Sequence, residues 1–311
     1  MTELAKIVMA EKFGGPDVLR VVERRLPPPG PGRVAVRVKA VGVNPVDLKI
    51  LAGSRGRLPE LPWQPGFEAA GVVTAVGPDV TAWRPGDEVI VFRAAGTYAS
   101  ALDVPEAALT RKPASVPWEQ AAGLLLVGAT AVHALEATHV GTGDVVLAHG
   151  AAGSVGQVLV QLARQRGASV IGTASLRNHE LLRSLGATPV EYGEALGSRV
   201  RKIGSPTVAI DLVGTQEALD VSLALVADRA RIVTIVNAPA FLGAGALAIG
   251  GGPGADPGTA IRDAARGQLA SLSGTGQLSL RIAKTFPLDQ AADALRFVGE
   301  GHADGKVILL P

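Results

Sequence analysis

The chain has 311 residues, of which 47% are hydrophobic but only 4% aromatic, with 39 Gly, 21 Pro and no Cys. At roughly 150 residues per domain, this length predicts about two domains whose cores are built from Val, Leu, Ile and Ala around many tight turns. The missing cysteine excludes disulfides, thiolate nucleophiles, Fe–S clusters and every zinc site that uses sulfur, and a net charge of +2 with 19% charged residues excludes disorder and any electrostatic footprint for nucleic acid.

Met1 to Phe13 carries Glu3 and Glu11 and no long apolar run, so no secretory signal is expected and a cytoplasmic location is. Val34, Val36, Val38 and Ala40 alternate with Arg37 and Lys39, which predicts a half-buried strand. Further strands are expected over Gly71–Gly77 and Glu88–Phe92, the second entered through the Pro85-Gly86-Asp87 turn, with Pro45–Pro65 as a long loop holding one short helix. This first third predicts an all-β, barrel-like domain.

Beyond Pro117 helices and strands alternate. Glu119–Ala137 reads as one long helix with a bend near Gly128, and Asp144–Ala148 as a compact apolar strand. Val155, Val158, Leu159 and Leu162 then mark a helix that Gly167 ends. Strands follow at Ser169–Thr173, Val190–Tyr192, Thr207–Leu212 and Arg231–Val236, with helices at Leu181–Leu185 and Gln216–Val226. Such alternation predicts right-handed βαβ units and a parallel sheet. The uncharged run Ile232–Ala255 contains Asn237, Pro239, Pro253 and repeated glycines, so it predicts a strand followed by turns and no membrane span. The tail from Ile261 is too short for its own core and is expected to complete the first domain.

The strongest chemical signal is Ala148–Gly156, AHGAAGSVG, between a predicted strand and a predicted helix. Its residues Gly150, Ala151, Ala152, Gly153, Ser154, Val155 and Gly156 form a glycine-rich turn that differs from G-x-G-x-x-G only in having Ala151 at the first glycine. Gly153 would let backbone approach a pyrophosphate and Gly156 would let the helix pack on the strand, with the helix N-terminus facing the anion. The end of the next strand reads Thr173-Ala174-Ser175-Leu176-Arg177-Asn178, with no acid before Glu180. An acid there would hold ribose hydroxyls; Ser175 and Arg177 instead favour a 2′-phosphate, hence NADP(H). The plainer reading is that Arg177 merely starts a surface helix. Ala152–Gly156 also approaches the G-x-S-x-G elbow of serine hydrolases, but Ser154 sits some residues beyond the strand end, and the following His179 and His302 have no acid partner in the expected order. His133 and His139 fall on different helix faces, and His149 is expected to sit at the strand end without acting as a base.

With these segments in place, the sequence resembles the zinc-independent quinone oxidoreductases, the zeta-crystallin-like group of the medium-chain dehydrogenase/reductase superfamily. The resemblance rests on GVNPVDLKILAG (Gly42–Gly53), PGFEAAGVVTAVG (Pro65–Gly77), PGDEV (Pro85–Val89), GATAVHAL (Gly128–Leu135), the glycine-rich turn, Thr173–Asn178, DLVG (Asp211–Gly214) and GKVIL (Gly305–Leu309). It implies an α/β protein with a GroES-like β-barrel catalytic domain (1–118 and 259–311), a Rossmann-like doubly wound cofactor domain (119–258), a cleft between them, and a homodimer joined by sheet edges, here near Ala244–Ile249. Zinc-dependent relatives carry a Cys in the stretch matching Gly42–Asp47 and a His in that matching Pro65–Glu68; this chain reads GVNPVD and PGFE, so no metal is expected.

The resemblance further implies that Asn44 and Lys49 line the nicotinamide and substrate cleft as catalytic residues. It places Thr130 at the nicotinamide, Tyr192 at the adenosine phosphate, and Val213 and Asn237 among the cofactor contacts. Plainer roles exist for three of them: Asn44 shaping a turn before Pro45, Lys49 on a solvated helix face, Tyr192 capping a strand edge. Glu68 and Tyr98 match family positions but read as structural. The function implied is NADPH-dependent hydride transfer to a small quinone or α,β-unsaturated carbonyl substrate without metal, membrane or nucleic-acid partner. The alternative is an NADPH-binding structural or regulatory protein of the crystallin kind. Specificity is expected to reside in the loops Ser54–Trp63 and Leu242–Gly258.

Overall fold

The computed structural model describes residues 3–54, 58–301 and 303–311, so His302 and part of the loop that starts at Ser54 lie outside the described residues. Two units emerge: Met1–Leu126 with Arg266–Pro311, and Val127–Ala265. The division falls inside two helices rather than in the loops before them.

The first unit begins with an antiparallel hairpin of β1 (Glu3–Ala10) and β2 (Leu19–Leu26). β3 (Arg33–Val43) buries Val34, Val36, Val38 and Ala40 and leaves Arg37 and Lys39 exposed, as the alternation predicts. After α1 (Pro45–Leu51) come β4 (Glu68–Val76), β5 (Glu88–Phe92), β6 (Ala101–Pro105) and β7 (Leu109–Arg111). β3 is the hub, antiparallel to both β4 and β6. Its core is almost wholly aliphatic, with Ile7, Val34, Val36, Val91, Leu295 and Leu309 around the buried Tyr98.

α2 (Trp118–Ala137) runs through Gly128 into the second unit. By length and composition it could cross a bilayer, yet 72% of its most apolar window is buried inside the protein. Then follow β8 (Val145–His149), α3 (Ser154–Gln165), β9 (Ser169–Thr173), α4 (His179–Leu185), β10 (Thr188–Val190), α5 (Leu196–Ile203), β11 (Val208–Asp211), α6 (Gln216–Leu225), β12 (Ile232–Thr234), α7 (Ala238–Gly243) and β13 (Leu247–Ala248). All neighbours in this sheet are parallel, in the order β10-β9-β8-β11-β12-β13. Counted from β8, that is the doubly wound order 3-2-1-4-5-6, which reverses direction between β8 and β11.

α8 (Thr259–Gly274) leads back to the first unit, where β14 (Ile282–Pro287), α9 (Ala291–Gly299) and β15 (Lys306–Leu310) complete its sheet. β15 pairs antiparallel with β3, so the tail does return to the first unit.

The structure departs from the sequence reading at several places, among them α5, which falls where no element is expected between the strands at Val190–Tyr192 and Thr207–Leu212. β10 ends at Val190, which leaves Tyr192 in the irregular segment that follows. β12 stops at Thr234 because the Thr234 hydroxyl accepts the N–H groups of Val236 and Asn237 and turns the chain. The stretch read as a strand and turns also contains α7, started by Asn237, whose Oδ1 accepts the Ala240 N–H, and by Pro239 in the first turn.

Candidate functional site

The glycine-rich turn joins β8 to α3. Gly150 has φ of 76°, and a Cβ there would meet Val213 Cγ1 at 2.4 Å, so the turn and the loop after β11 close on each other only because residue 150 is glycine. The turn is tied to β9: Gly150 N–H donates to Thr173 Oγ1 at 2.9 Å and Ala151 N–H to the Thr173 carbonyl at 3.0 Å. A Cβ on Gly156 would lie 2.5 to 2.6 Å from Ala151 backbone atoms, which is the close helix-to-turn packing expected of this glycine.

Gly153 is different. It is the N-cap of α3, its only neighbour within range of a Cβ is the Gly150 carbonyl at 3.5 Å, and no side chain caps the helix. Folding alone therefore does not require glycine here. With no side chain capping them, the N–H groups of the first turn of α3 are the kind of donors that take the phosphates of a dinucleotide.

β9 and β10 end in register, Thr173 beside Val190, so the residues just beyond both ends share one end of the sheet. These are Ser175, Leu176 and Arg177 on one side and Tyr192 on the other. Arg177, Leu176 and Tyr192 are exposed, and Ser175 Oγ lies 3.4 Å from the Asn178 amide nitrogen, which donates to it. Among residues 173–179 there is no carboxylate.

At the same end of the sheet, Asp211 organises two loops. Its carboxylate accepts the N–H groups of Val213 and Gly214 and, at 2.5 Å, the Thr234 hydroxyl. Asn237 closes the bridge by donating from Nδ2 to the Gly214 carbonyl at 3.3 Å. Burial pushes the Asp211 carboxyl above the usual range, and these hydrogen bonds oppose it. Val213 is thus brought beside the glycine-rich turn, with Asn237 tied to the residue after it. Thr130 belongs to another network: it is buried on α2 and accepts from the Arg262 guanidinium at 3.1 Å.

In the first unit five polar side chains are buried together. Asn44 caps α1: its backbone N–H donates to Asp47 Oδ2 at 2.9 Å, and the pair forms a capping box. Tyr98 donates its hydroxyl to the same Asp47 oxygen at 3.1 Å. Lys306, at the start of β15, donates to Asn44 Oδ1 at 2.5 Å and to Glu68 Oε1 at 2.7 Å. Asn44 Nδ2 donates to Glu68 Oε1 at 3.1 Å, and Glu68 Oε2 accepts the Leu126 N–H at 2.9 Å. Burial is the main cause that pushes the Asp47 carboxyl up to about 7, and it also raises Tyr98 well above its ordinary value, with the Asp47 charge second.

The structure does not join Asn44 to Lys49. Lys49 is exposed in the last turn of α1, and the ammonium beside Asn44 is that of Lys306. The reason is helical geometry: a residue five beyond the N-cap points to another face. Sequence reading missed Lys306 and Asp47 as members of this cluster. The available signals were a lysine opening an otherwise apolar strand, GKVIL, and the N-x-x-D spacing of a capping box. Among the described residues, the rings of His133, His149 and His179 bond to Asp256, Ser222 and the Ala174 carbonyl rather than to Ser154. His149 is held down to about 4 by burial, so it stays neutral.

A barrel-type unit joined to a doubly wound sheet with a dinucleotide turn defines a two-domain, nicotinamide-dependent oxidoreductase. Residues 30–114 match the alcohol dehydrogenase GroES-like domain, and residues 185–309 match the zinc-binding dehydrogenase family. The synaptic vesicle membrane protein VAT-1 homolog of Rattus norvegicus is 33% identical over 96% of this chain and 82% of its own. The 2-haloacrylate reductase of a Burkholderia species is 34% identical over 96% of this chain and 97% of its own. The crystal structure of Escherichia coli quinone oxidoreductase complexed with NADPH superposes with a TM-score of 0.86 at 29% identity, covering 98% of this chain and 100% of that one. The chain belongs to the quinone oxidoreductase family of the medium-chain dehydrogenase/reductases.

Proposed function

We propose that the protein is an NADPH-dependent reductase that delivers hydride to quinones or to carbon–carbon double bonds conjugated to a carbonyl, without a metal. The observation that carries the reading is the dinucleotide turn with an uncapped α3 N-terminus beside an acid-free β9 end that presents Ser175 and Arg177. NADPH, when bound, supplies the hydride; the rest of the work belongs to the chain.

The first-turn N–H groups of α3 would hold the pyrophosphate, and Ser175 and Arg177 the 2′-phosphate, with Tyr192 alongside. The Asp211, Thr234 and Asn237 bridge fixes the loop that carries Val213 over the turn. Lys49 is the donor proposed for the oxygen that gains charge, with Asn44 at the other end of α1. In the first unit the Asn44 amide nitrogen already donates to Glu68, so Lys49 is the more available of the two. The metal-free reading rests on residue chemistry: a chain with no cysteine, with Asn44 and Phe67 in the stretches where zinc-dependent relatives carry Cys and His.

The test is cofactor choice. A charge-assisted hydrogen bond contributes roughly 1.5–3 kcal/mol, so NADPH should bind about ten- to a hundredfold more tightly than NADH, and Arg177→Ala should erase most of that difference. Equal affinity of the unaltered protein for both, measured by fluorescence titration, would count against the reading. NADPH oxidation against quinones, enones and 2-haloacrylates then defines the acceptor class.

A further inference from the structure

Thr130 and His133 lie one turn apart on the same face of α2, and both are buried. A single residue of α8 engages the two together. Arg262 donates from Nη1 to Thr130 Oγ1 at 3.1 Å and from Nε to His133 Nδ1 at 3.2 Å. All three residues belong to the second unit. A guanidinium only donates, so Arg262 takes a lone pair of the Thr130 hydroxyl and turns its hydrogen elsewhere. The same side chain settles the histidine. Nδ1 must be the bare nitrogen, which leaves the hydrogen on Nε2, and Nε2 donates it to Asp256 Oδ2 at 3.1 Å. Asp256 is held in turn, its Oδ1 accepting the Gly258 N–H at 2.9 Å. Gly258 packs so closely on the His133 ring that a Cβ would meet it at 2.1 Å.

The chain from Asp256 through His133 and Arg262 to Thr130 requires a neutral imidazole. A proton added at Nδ1 would set two N–H donors and two positive charges against each other across 3.2 Å. Burial is the largest influence on the ring and holds His133 below the 6.5 of an ordinary histidine. Of the charged groups that face it, Arg262 on α8 disfavours the imidazolium and Asp256, on the loop before α8, favours it. Glu136, three residues further along α2, is paired with Arg166 at 2.7 Å.

We infer that Arg262 is a positioning residue for the nicotinamide end of the cofactor: it sets the direction of the Thr130 hydroxyl, while His133 and Asp256 set Arg262. This rests on the proposed NADPH site and on the place at the nicotinamide that the family resemblance gives Thr130.

The test compares NADP⁺ with 2′-phospho-ADP-ribose, which is the same molecule without its nicotinamide ring. By calorimetry at pH 7.5, Arg262→Met should weaken NADP⁺ binding by about three- to tenfold, the range of one lost hydrogen bond, and leave 2′-phospho-ADP-ribose unchanged. Arg262→Lys, which keeps one donor, should fall between. The ratio of the two affinities cancels the titration of the shared phosphates. In the unaltered protein that ratio should drop in step with the protonation of His133, followed by nitrogen NMR. In His133→Gln, whose carbonyl can accept from Arg262 and whose amide can donate to Asp256, the ratio should stay level. The same spectra of the unaltered, ligand-free protein should show His133 as the Nε2–H tautomer at pH 7.5, a readout that holds even if Arg262→Met does not fold. An Nδ1–H tautomer would overturn the inference, as would a ratio that ignores the protonation of His133. So would a folded Arg262→Met chain that binds both ligands as before or loses both equally. Failure of the unaltered protein to bind either ligand would overturn the proposed NADPH site itself, and this inference with it.

Discussion

Lys306 and Glu68 form an ion pair whose side chains are 2% and 0% exposed. Two charges so deeply buried are tolerated only because each finds further partners, Asn44 for the ammonium and the Leu126 N–H for the carboxylate. Removing one charge leaves the other unpaired in the core. Lys306→Met should therefore destabilise the first unit by about 3–5 kcal/mol, and the double variant with Glu68→Gln should recover much of that loss; urea unfolding midpoints measure both. Asp47 carries the opposite lesson. Its folded pKa of about 7 lies above the unfolded value, so the folded state keeps a proton that the unfolded state has released. Its stabilising contribution is complete below the unfolded pKa near 3.9 and is lost as pH rises to about 7, at roughly 1.4 kcal/mol per pH unit in that window. His149, held neutral by burial at a pKa of about 4, changes stability in the other direction over part of that range. The difference between unaltered protein and Asp47→Asn, in which His149 cancels, should therefore fall between pH 4.5 and 7 and flatten above it. A flat difference would show that Asp47 is ionised throughout.

At the scale of elements, the legibility of the sequence depended on whether a rule was local. The alternation in β3, the stripe of α3 and the glycines of the turn state their own structure, because period and φ are properties of a few neighbouring residues. The buried cluster was not legible, since Asn44, Glu68, Tyr98 and Lys306 come from α1, β4, the loop before β6, and β15. Tertiary pairing alone brings them together, whereas the family resemblance points to Lys49, which lies in the same matched segment as Asn44. The end of β12 is hidden for a related reason, as Ile235 and Val236 continue the apolar run where the Thr234 hydroxyl turns the chain. The turn itself separates folding from binding. Gly156→Ala should cost several degrees in melting temperature because its Cβ meets Ala151 backbone atoms at 2.5 to 2.6 Å. Gly153→Ala, with 3.5 Å to its nearest atom, should melt within a few degrees of the parent yet bind NADPH at least tenfold more weakly, by calorimetry.

For the molecule as a whole, the absence of cysteine, with GVNPVD and PGFE where zinc-dependent relatives carry Cys and His, sets an expectation about metals. Among the described residues, no group of three or more metal-ligating side chains is gathered. Activity should survive exhaustive chelation, and elemental analysis of the active protein should find less than a stoichiometric amount of zinc. Restoration of lost activity by added zinc alone would show the opposite.

The first unit is discontinuous, interrupted by Val127–Ala265, and this has a consequence for biosynthesis. As the chain leaves the ribosome, every strand of the parallel sheet, β8 to β13, has been made before β15 exists. β3 must wait for β15, and Glu68 and Asn44 for Lys306, through tens of seconds at roughly 5–20 residues per second. Throughout that interval the nascent barrel has no counter-charge for Glu68 and an open edge on β3. The order of folding is thereby inverted relative to the order of synthesis: the inserted unit can fold first, and the unit begun first is completed last.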